Sequence, residues 1–279
     1  MTTDIFSTAP VALTGAMGAI GQVLRPRLRA RGILLHSTDI AAFPPIDSGE
    51  KASCGDLRNP AVVDAVLAGT ASAIHLAGSS VERPLPEIIE NNLVALHELY
   101  EGARRHGLRR VIFASSNHAI GMYPSDMRLS LTDPTRPDGL YGLSKVWGEA
   151  MGRLYWDKHG IETVAIRIGS ALPRPTQMRH LATWLGHDDL EQLIHCALSA
   201  PALGFLTVWG VSANTRSWWD NGDAAKLGYA PRQNAETFIA EILAQPDPLG
   251  PVARYFQGGD FAAADFSRTL DCPNLEQDV

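Results

Sequence analysis

Between residues 10 and 169, short runs that are apolar along their whole length alternate with helix-patterned segments, and no other feature restricts the possible folds as much. "PVALTG" (10–15), "GILLHSTD" (32–39), "ASAIHLAG" (71–78), "RRVIFASS" (109–116) and "ETVAIRIG" (162–169) read as strands. Residues 19–31, 59–69, 86–107 and 141–159 read as helices. A strand with one wet face alternates apolar and polar residues. A strand apolar throughout is buried on both faces, the condition of a parallel sheet with helices on each side. Strand–helix alternation then predicts an α/β fold with a doubly wound parallel sheet. The helix over 59–69 carries its own start signal, with Pro60 at the first position, where a missing N–H costs nothing. Pro26 opposes the pattern. Inside the helix over 19–31 it removes a hydrogen bond at a cost of roughly 3 kcal/mol, which predicts a kink or an early end.

After residue 170 the pattern loosens. "DDLEQLIHCALSA" and "NAETFIAEILAQ" read as helices of a smaller lobe, and the stretch from Pro246, rich in proline and glycine, reads as extended. At 279 residues, with 45% apolar and 19% charged content, the composition suits one packed globule. The apolar runs are too short to span a bilayer, and no signal-peptide pattern precedes them. A net charge of −6 argues against a nucleic-acid surface, and the basic cluster "RPRLRARG" is too short to reverse that. Cys54, Cys196 and Cys272 are widely spaced without a CxxC, which predicts free thiols in a reducing cytoplasm. Nine histidines form no HxH or HExxH pattern, so no metal is expected.

"TGAMGAIG" (14–21) puts Gly15, Gly18 and Gly21 directly after the first strand and at the opening of the first helix. A glycine turn there lets backbone approach a pyrophosphate seated on the positive helix N-terminus. Asp39 closes the next strand, where a carboxylate accepts hydrogen bonds from an adenosine ribose and repels a phosphate on it. No arginine follows Asp39, so NAD is favoured over NADP. The same residues also fit an ordinary βαβ turn with a surface aspartate; their order and context favour the cofactor. The expected architecture is a Rossmann-type sheet with a small C-terminal substrate-binding lobe. Residues 1–170 form the NAD-binding part in this reading, and 171–279 the lobe and tail, packed closely enough to act as one domain.

In "GLYGLSKVWGE" (139–149), Tyr141 and Lys145 share one helix face at i and i+4. Taken alone, the pair also fits an anchoring aromatic beside a solvated lysine. With the three-apart glycines and Ser116 at the end of the fourth apolar run, the chain resembles the short-chain dehydrogenase/reductase superfamily. That resemblance implies Tyr141 as catalytic base, Lys145 as its modulator and ribose ligand, and Ser116 as the partner of the reacting oxygen. A free phenol near pKa 10 is a poor base at neutral pH, and the cations of Lys145 and of the oxidised cofactor would lower that value. Tyr141 could then take a hydroxyl proton while hydride leaves the same carbon.

A closer resemblance is carried by "ASSNHAIGMYP" (114–124), "RPDGLYGLSKVWGE" (136–149), "RIGS" (167–170), "MRHLATWLGHDD" (178–189) and "VWGVSANTRSWWDN" (208–221). These segments are similar to the uronate dehydrogenases, bacterial NAD enzymes that oxidise D-glucuronate and D-galacturonate at the anomeric carbon to aldarolactones. The resemblance implies a sugar site of Ser80, Ser116, Asn117, His118, Tyr141, Ser170 and Arg179, with Arg179 as two-point carboxylate ligand. It implies a cofactor site of Gly15, Gly18, Ala19, Ile20, Gly21, Asp39, Asp56, Leu57, Leu76, Ala77, Gly78, Tyr141, Lys145 and Ile168. Ser80 and Ser170 also fit as turn residues, His118 as a structural histidine, and Arg179 as half of an internal ion pair. "SWWDN" fits core packing better than a sugar platform. A nucleotide-sugar epimerase or dehydratase shares the fold and the Tyr–Lys pair. The dehydratases, however, carry an acidic pair where this chain has Ser116 and Asn117. A non-catalytic NAD sensor is the other alternative, and such proteins commonly lose the Tyr or the Lys. The resemblance also implies a homo-oligomer, with Phe256 and Phe261 of the tail candidates for reaching a neighbouring subunit. The preference between the two uronates stays open.

Overall fold

The computed structural model describes residues 9–270; Cys272 lies outside them. The strands are β1 (Val11–Thr14), β2 (Leu35–Asp39), β3 (Glu50–Cys54), β4 (Ser72–His75), β5 (Arg110–Ser116), β6 (Glu162–Ile168), β7 (Ser170–Ala171), β8 (Trp184–Leu185) and β9 (Phe205–Gly210). Seven of them form one parallel sheet ordered β3-β2-β1-β4-β5-β6-β9, and β7 pairs with β8 separately. The helices are α1 (Ala19–Ala30), α2 (Pro60–Leu67), α3 (Leu85–Ile88), α4 (Ala95–His106), α5 (Leu140–His159), α6 (His180–Thr183), α7 (His187–Ser199), α8 (Ile239–Leu243), α9 (Pro251–Tyr255) and α10 (Asp260–Ala263).

The continuous apolarity of the strands has the cause expected from the sequence. Successive side chains of a strand point to opposite faces. Val11, Leu13, Ile74, Ile112, Val164 and Ile166 enter one core with Leu24 and Leu28 of α1 and Leu190, Leu193 and Ile194 of α7. Their neighbours Ala12, Ala73, Val111, Phe113 and Ala165 enter a second core with Val63 and Val66 of α2, Leu96 and Leu99 of α4, and Tyr155 of α5. β1 and β4 are sheet neighbours whose chains leave in opposite directions, β1 toward β2 and β4 toward β5. That divergence opens a crevice at their C-terminal ends.

Five local features depart from the sequence reading. α1 continues four residues past Pro26, because Pro26 and Gln22, whose carbonyl loses its partner, both lie on the exposed side while Leu24 and Leu28 are fully buried. β3 has no apolar run; it is an edge strand, and its one buried side chain, Glu50, pairs with Arg25 and accepts from Ser37. The helix over 86–107 widens into a π turn at Ile89–Val94. There the Asn92 side chain accepts from the Ser79 N–H (2.7 Å) and donates to the Ser79 carbonyl (3.0 Å) and to Ser144 Oγ (2.9 Å). β9, from beyond residue 170, returns to the main sheet beside β6. The segment after Pro246 is not extended: α9 and α10 fold back onto the chain, Phe256 is buried within this subunit, and Pro124 bridges to Phe256. "SWWDN" is core, with Trp219 stacked on Trp209 at 4.9 Å. Among the described residues, no helix is long and apolar enough to cross a membrane.

The far edge of the sheet rests on a buried ion pair. Arg110, fully buried, donates to Glu162 Oε2 from Nε (2.9 Å) and Nη2 (2.6 Å), and caps the end of α7 through the carbonyls of Ala197 and Leu198. Removing the carboxylate charge strands a buried cation, which typically costs about 3–5 kcal/mol. Glu162→Gln should therefore lower the unfolding free energy by about 3 kcal/mol, seen as a lower urea midpoint with an unchanged slope.

Candidate active site

A single cleft of about 910 Å³ lies along the C-terminal ends of β1, β2, β4, β5 and β6. Its first half is built by the glycine turn. Gly15 has φ +70°, and a Cβ there would lie 2.7 Å from the Ala77 N and 2.8 Å from the Leu76 carbonyl carbon. Only glycine fits the conformation and the approach. Gly18 caps α1 without any side chain over the helix N-terminus, so its N–H groups remain open to an anion. Asp39 ends β2 and accepts from the Met17 N–H (2.8 Å), which ties the strand end to the glycine turn. Every residue expected around the cofactor lines this cleft: Gly15, Gly18, Ala19, Ile20, Gly21, Asp39, Asp56, Leu57, Leu76, Ala77, Gly78, Tyr141, Lys145 and Ile168. A glycine cradle on a bare helix N-terminus, with a carboxylate at the next strand end, fits NAD.

The second part of the cleft, where the Tyr–Lys pair was expected, joins β5 to α5. Ser116 ends β5, and its Oγ accepts from the His118 N–H (3.2 Å). Tyr141 sits in the first turn of α5, whose N–H groups are capped by the Glu82 carboxylate: Leu140 N–H to Oε1 (2.9 Å) and Tyr141 N–H to Oε2 (3.0 Å). Lys145, one turn on, donates from Nζ to the Ala114 carbonyl (2.8 Å) and lies 5.3 Å from the Tyr141 ring centre. Burial pushes the Tyr141 phenol up to about 12; the hydrogen bond with Ser116 pulls the other way and the Asp138 charge adds to the rise. Burial pulls the Lys145 ammonium down to about 8. The lowered phenol expected from Lys145 is thus not the state of the protein alone, because desolvation outweighs the hydrogen bond with Ser116.

The residues expected around a sugar come from several separate segments. Ser80, Ser116, Asn117, His118 and Ser170 line the cleft, with Ser80 exposed and Asn117 buried. His118 Nδ1 bonds Asp138 Oδ2 (2.7 Å), and its ring stacks on Phe261 at 3.9 Å. Arg179 is the one expected site residue that does not line the cleft. It stands one hydrogen bond behind the wall, donating from Nη1 to Ser170 Oγ (3.2 Å) and from Nε and Nη2 to the Gln257 carbonyl (2.9 and 2.6 Å). With the Asn117 amide turned so that its nitrogen donates to the Ile168 carbonyl (3.1 Å), its oxygen accepts from Arg179 Nη2 (2.7 Å). Among the described residues no carboxylate pairs with Arg179, and burial pulls it down to about 10 against the more distant charges of Asp138 and Asp260. The alternative of an internal ion pair does not hold. Glu82, Asp138 and Phe261 were not legible as site residues. Glu82 and Asp138 lie in loops with no periodic signal, and Phe261 arrives from a tail read as extended.

The buried Lys145 yields a stability prediction. Its folded value lies below its ordinary 10.5, so at pH 7 the folded protein carries an ammonium that burial disfavours. Between about 8 and 10.5 the unfolded chain holds the proton and the folded protein does not, so stability rises with pH there. Lys145→Met should raise the melting temperature of the cofactor-free protein at pH 7. The gap should close as calorimetry is repeated up to pH ~10.5.

Comparison with known proteins agrees with the geometry. Residues 11–238 match the NAD dependent epimerase/dehydratase family. The uronate dehydrogenase of Pseudomonas putida is 45% identical over 266 residues, covering 95% of this chain and 98% of that protein. The crystal structure of uronate dehydrogenase from Agrobacterium tumefaciens superposes with a TM-score of 0.88 at 44% identity, covering 91% of this chain and 97% of that one. A mutant of the Agrobacterium enzyme complexed with NAD superposes with a TM-score of 0.87 at 43% identity, over the same shares of the two chains. With the glycine cradle, the Tyr141–Lys145 pair and near full-length similarity in place, this chain belongs to the NAD dependent epimerase/dehydratase family and, within it, to the uronate dehydrogenases.

Proposed function

We propose that the chain oxidises D-glucuronate and D-galacturonate, in their cyclic forms, at the anomeric carbon to the aldarolactone. The observation that carries this reading is Arg179, a half-buried guanidinium with no carboxylate partner among the described residues, hydrogen-bonded to Asn117 and Ser170 of Tyr141's cleft. A cation that its own protein leaves without a carboxylate partner, one hydrogen bond behind the wall of the cleft, is suited to an anionic ligand. Local donors, not the net charge of −6, then hold the acid.

Tyr141 removes the proton of the anomeric hydroxyl, and Ser116 holds the same oxygen. Lys145, positive beside the phenol, favours the phenolate that forms when the site is filled. Bound NAD supplies the hydride acceptor. Gly15, Gly18 and the open N–H groups of α1 carry its pyrophosphate, and Asp39 its adenosine ribose. Asn117, His118, Ser80 and Ser170 bind the sugar around the carboxylate held by Arg179. Loss of hydride from the hemiacetal carbon, with the hydroxyl proton passing to Tyr141, converts the existing ring directly into a ring ester, so neither a thiol nucleophile nor a metal is required. Assembly into a homo-oligomer and a cytoplasmic location belong to the same reading. Exposed Leu143 and Leu154 on α5, with Ile89 and Val94 alongside, support the first.

Mixing the protein with NAD and either uronate should produce NADH and a lactone visible by NMR, whereas glucose and galactose should not react. No reduction with either acid would overturn the reading. Tyr141→Phe should lower kcat by about 10²–10⁴-fold. Arg179→Met should raise KM for the uronates by about 10–100-fold while the affinity for NAD, measured by calorimetry, stays within about twofold.

A further inference from the structure

Asp138 precedes the catalytic helix, and its side chain is fully buried against His118. Three chain segments give up a side chain to make room for it. A methyl carbon added at Gly121, in the loop after β5, or at Gly258, between α9 and α10, would overlap Asp138 Oδ2. One added at Gly142, in α5, would overlap the His118 carbonyl oxygen first and come within 2.9 Å of Asp138 Oδ1. None of these glycines is required by backbone conformation. Gly121 has φ −60°, Gly142 is helical, and Gly258 is not among the residues with positive φ. Space for one carboxylate therefore explains glycine at 121 and 258, while at 142 the His118 carbonyl requires it first. The segments also lock together around it, with Gly258 N–H donating to the Gly121 carbonyl (2.8 Å) and Asp138 N–H to the His118 carbonyl (3.3 Å).

This carboxylate controls an imidazole that lines the cleft. The Phe261 stack at 3.9 Å and the Tyr141 edge contact at 5.7 Å set the plane of the His118 ring. The 2.7 Å bond to Asp138 Oδ2 sets its rotation within that plane. An ionised carboxylate accepts only, so Nδ1 must be the nitrogen that carries a proton. A neutral imidazole protonated there has an acceptor at Nε2, for which no protein donor is present among the described residues. We propose that Asp138 is a positioning residue for substrate. Seated by Gly121, Gly142 and Gly258, it fixes His118 with its proton on Nδ1 and leaves Nε2 to accept a hydrogen bond from a hydroxyl of the uronate. The proposal rests on the uronate reading above. It divides the labour of recognition: Arg179 takes the carboxylate, and His118 reads a hydroxyl that must donate.

Two measurements test it, one independent of turnover. Nitrogen-15 NMR of the histidine rings, assigned through His118→Gln and recorded where the ring is neutral, should show the His118 proton of the unliganded protein on Nδ1. Asp138→Asn, nearly isosteric but able to donate as well as accept, should lose that tautomer. A His118 proton on Nε2 in the wild-type protein overturns the proposal whatever the substrate is. In steady-state assays with a uronate, Asp138→Asn should lower kcat/KM by about 10-fold or more, with NAD affinity and melting temperature nearly unchanged. In a His118→Gln background the same change should cost less than about twofold. An equal loss in both backgrounds, or a loss accompanied by weaker NAD binding, would make Asp138 merely structural and overturn the assignment. Wild-type protein that reduces NAD with neither uronate would sink the functional reading instead, and leave the NMR result to stand alone.

Discussion

Burial of each strand on both faces is the constraint on which everything else depends. Val11 and Leu13 face one core while Ala12, between them, faces the other, and the same division runs through β4, β5 and β6. No interior strand position is left for chemistry. Function is confined to the C-terminal ends, where Gly15, Asp39, Ala77, Ser116 and Ile168 emerge together because the strands are parallel and in register. The switch between β1 and β4 then decides where along that edge a ligand lies.

Charge is distributed by the same logic. Arg25 with Glu50, Arg110 with Glu162, and Arg167 with Glu149 are buried pairs, each cation answered by a carboxylate. Glu149 also accepts from Ser115 (2.6 Å), so the strand beneath the cleft is braced by the catalytic helix, eight residues after Tyr141. Lys145 and Arg179 are treated differently. Lys145 is buried and Arg179 half-buried, and both donate to backbone carbonyls instead of pairing with an acid among the described residues. Burial lowers both, and the proposed function assigns both charges to ligands. This is how an acidic chain of net charge −6 can accept a dinucleotide and a sugar acid in one cleft.

What the sequence made legible was whatever depends on local pattern. The five apolar runs, the glycine turn, Asp39 and the Tyr141–Lys145 spacing each encode their role within a few residues, and the cleft gathers them. β3 was missed because an edge strand does not need an apolar run; its one buried position holds Glu50, whose burial follows from Arg25, a partner 25 residues away. The π turn was missed because its cause is Asn92 reaching Ser79 and Ser144, contacts between three elements. Pro26 was misjudged because the sequence does not say which side of α1 meets water. In each case the deciding partner lies far along the chain, beyond the reach of periodicity.

The tail shows the same limit at the site itself. Proline and glycine after Pro246 set local conformation, yet the folding of this stretch is decided by what Gln257 finds on its return. Fully buried, Gln257 donates from Nε2 to the carbonyls of Pro124 (3.1 Å) and Met127 (2.8 Å), and accepts at Oε1 from Trp219 Nε1 (2.8 Å). Its own carbonyl receives Arg179, and four residues later Phe261 stacks on His118. One buried amide therefore fixes the carbonyl that orients Arg179 and the aromatic that orients the His118 imidazole. Since Arg179 and His118 stand on different segments, their relative placement is set by the tail that touches both. The substrate end of the cleft is complete only when the C-terminal segment has docked.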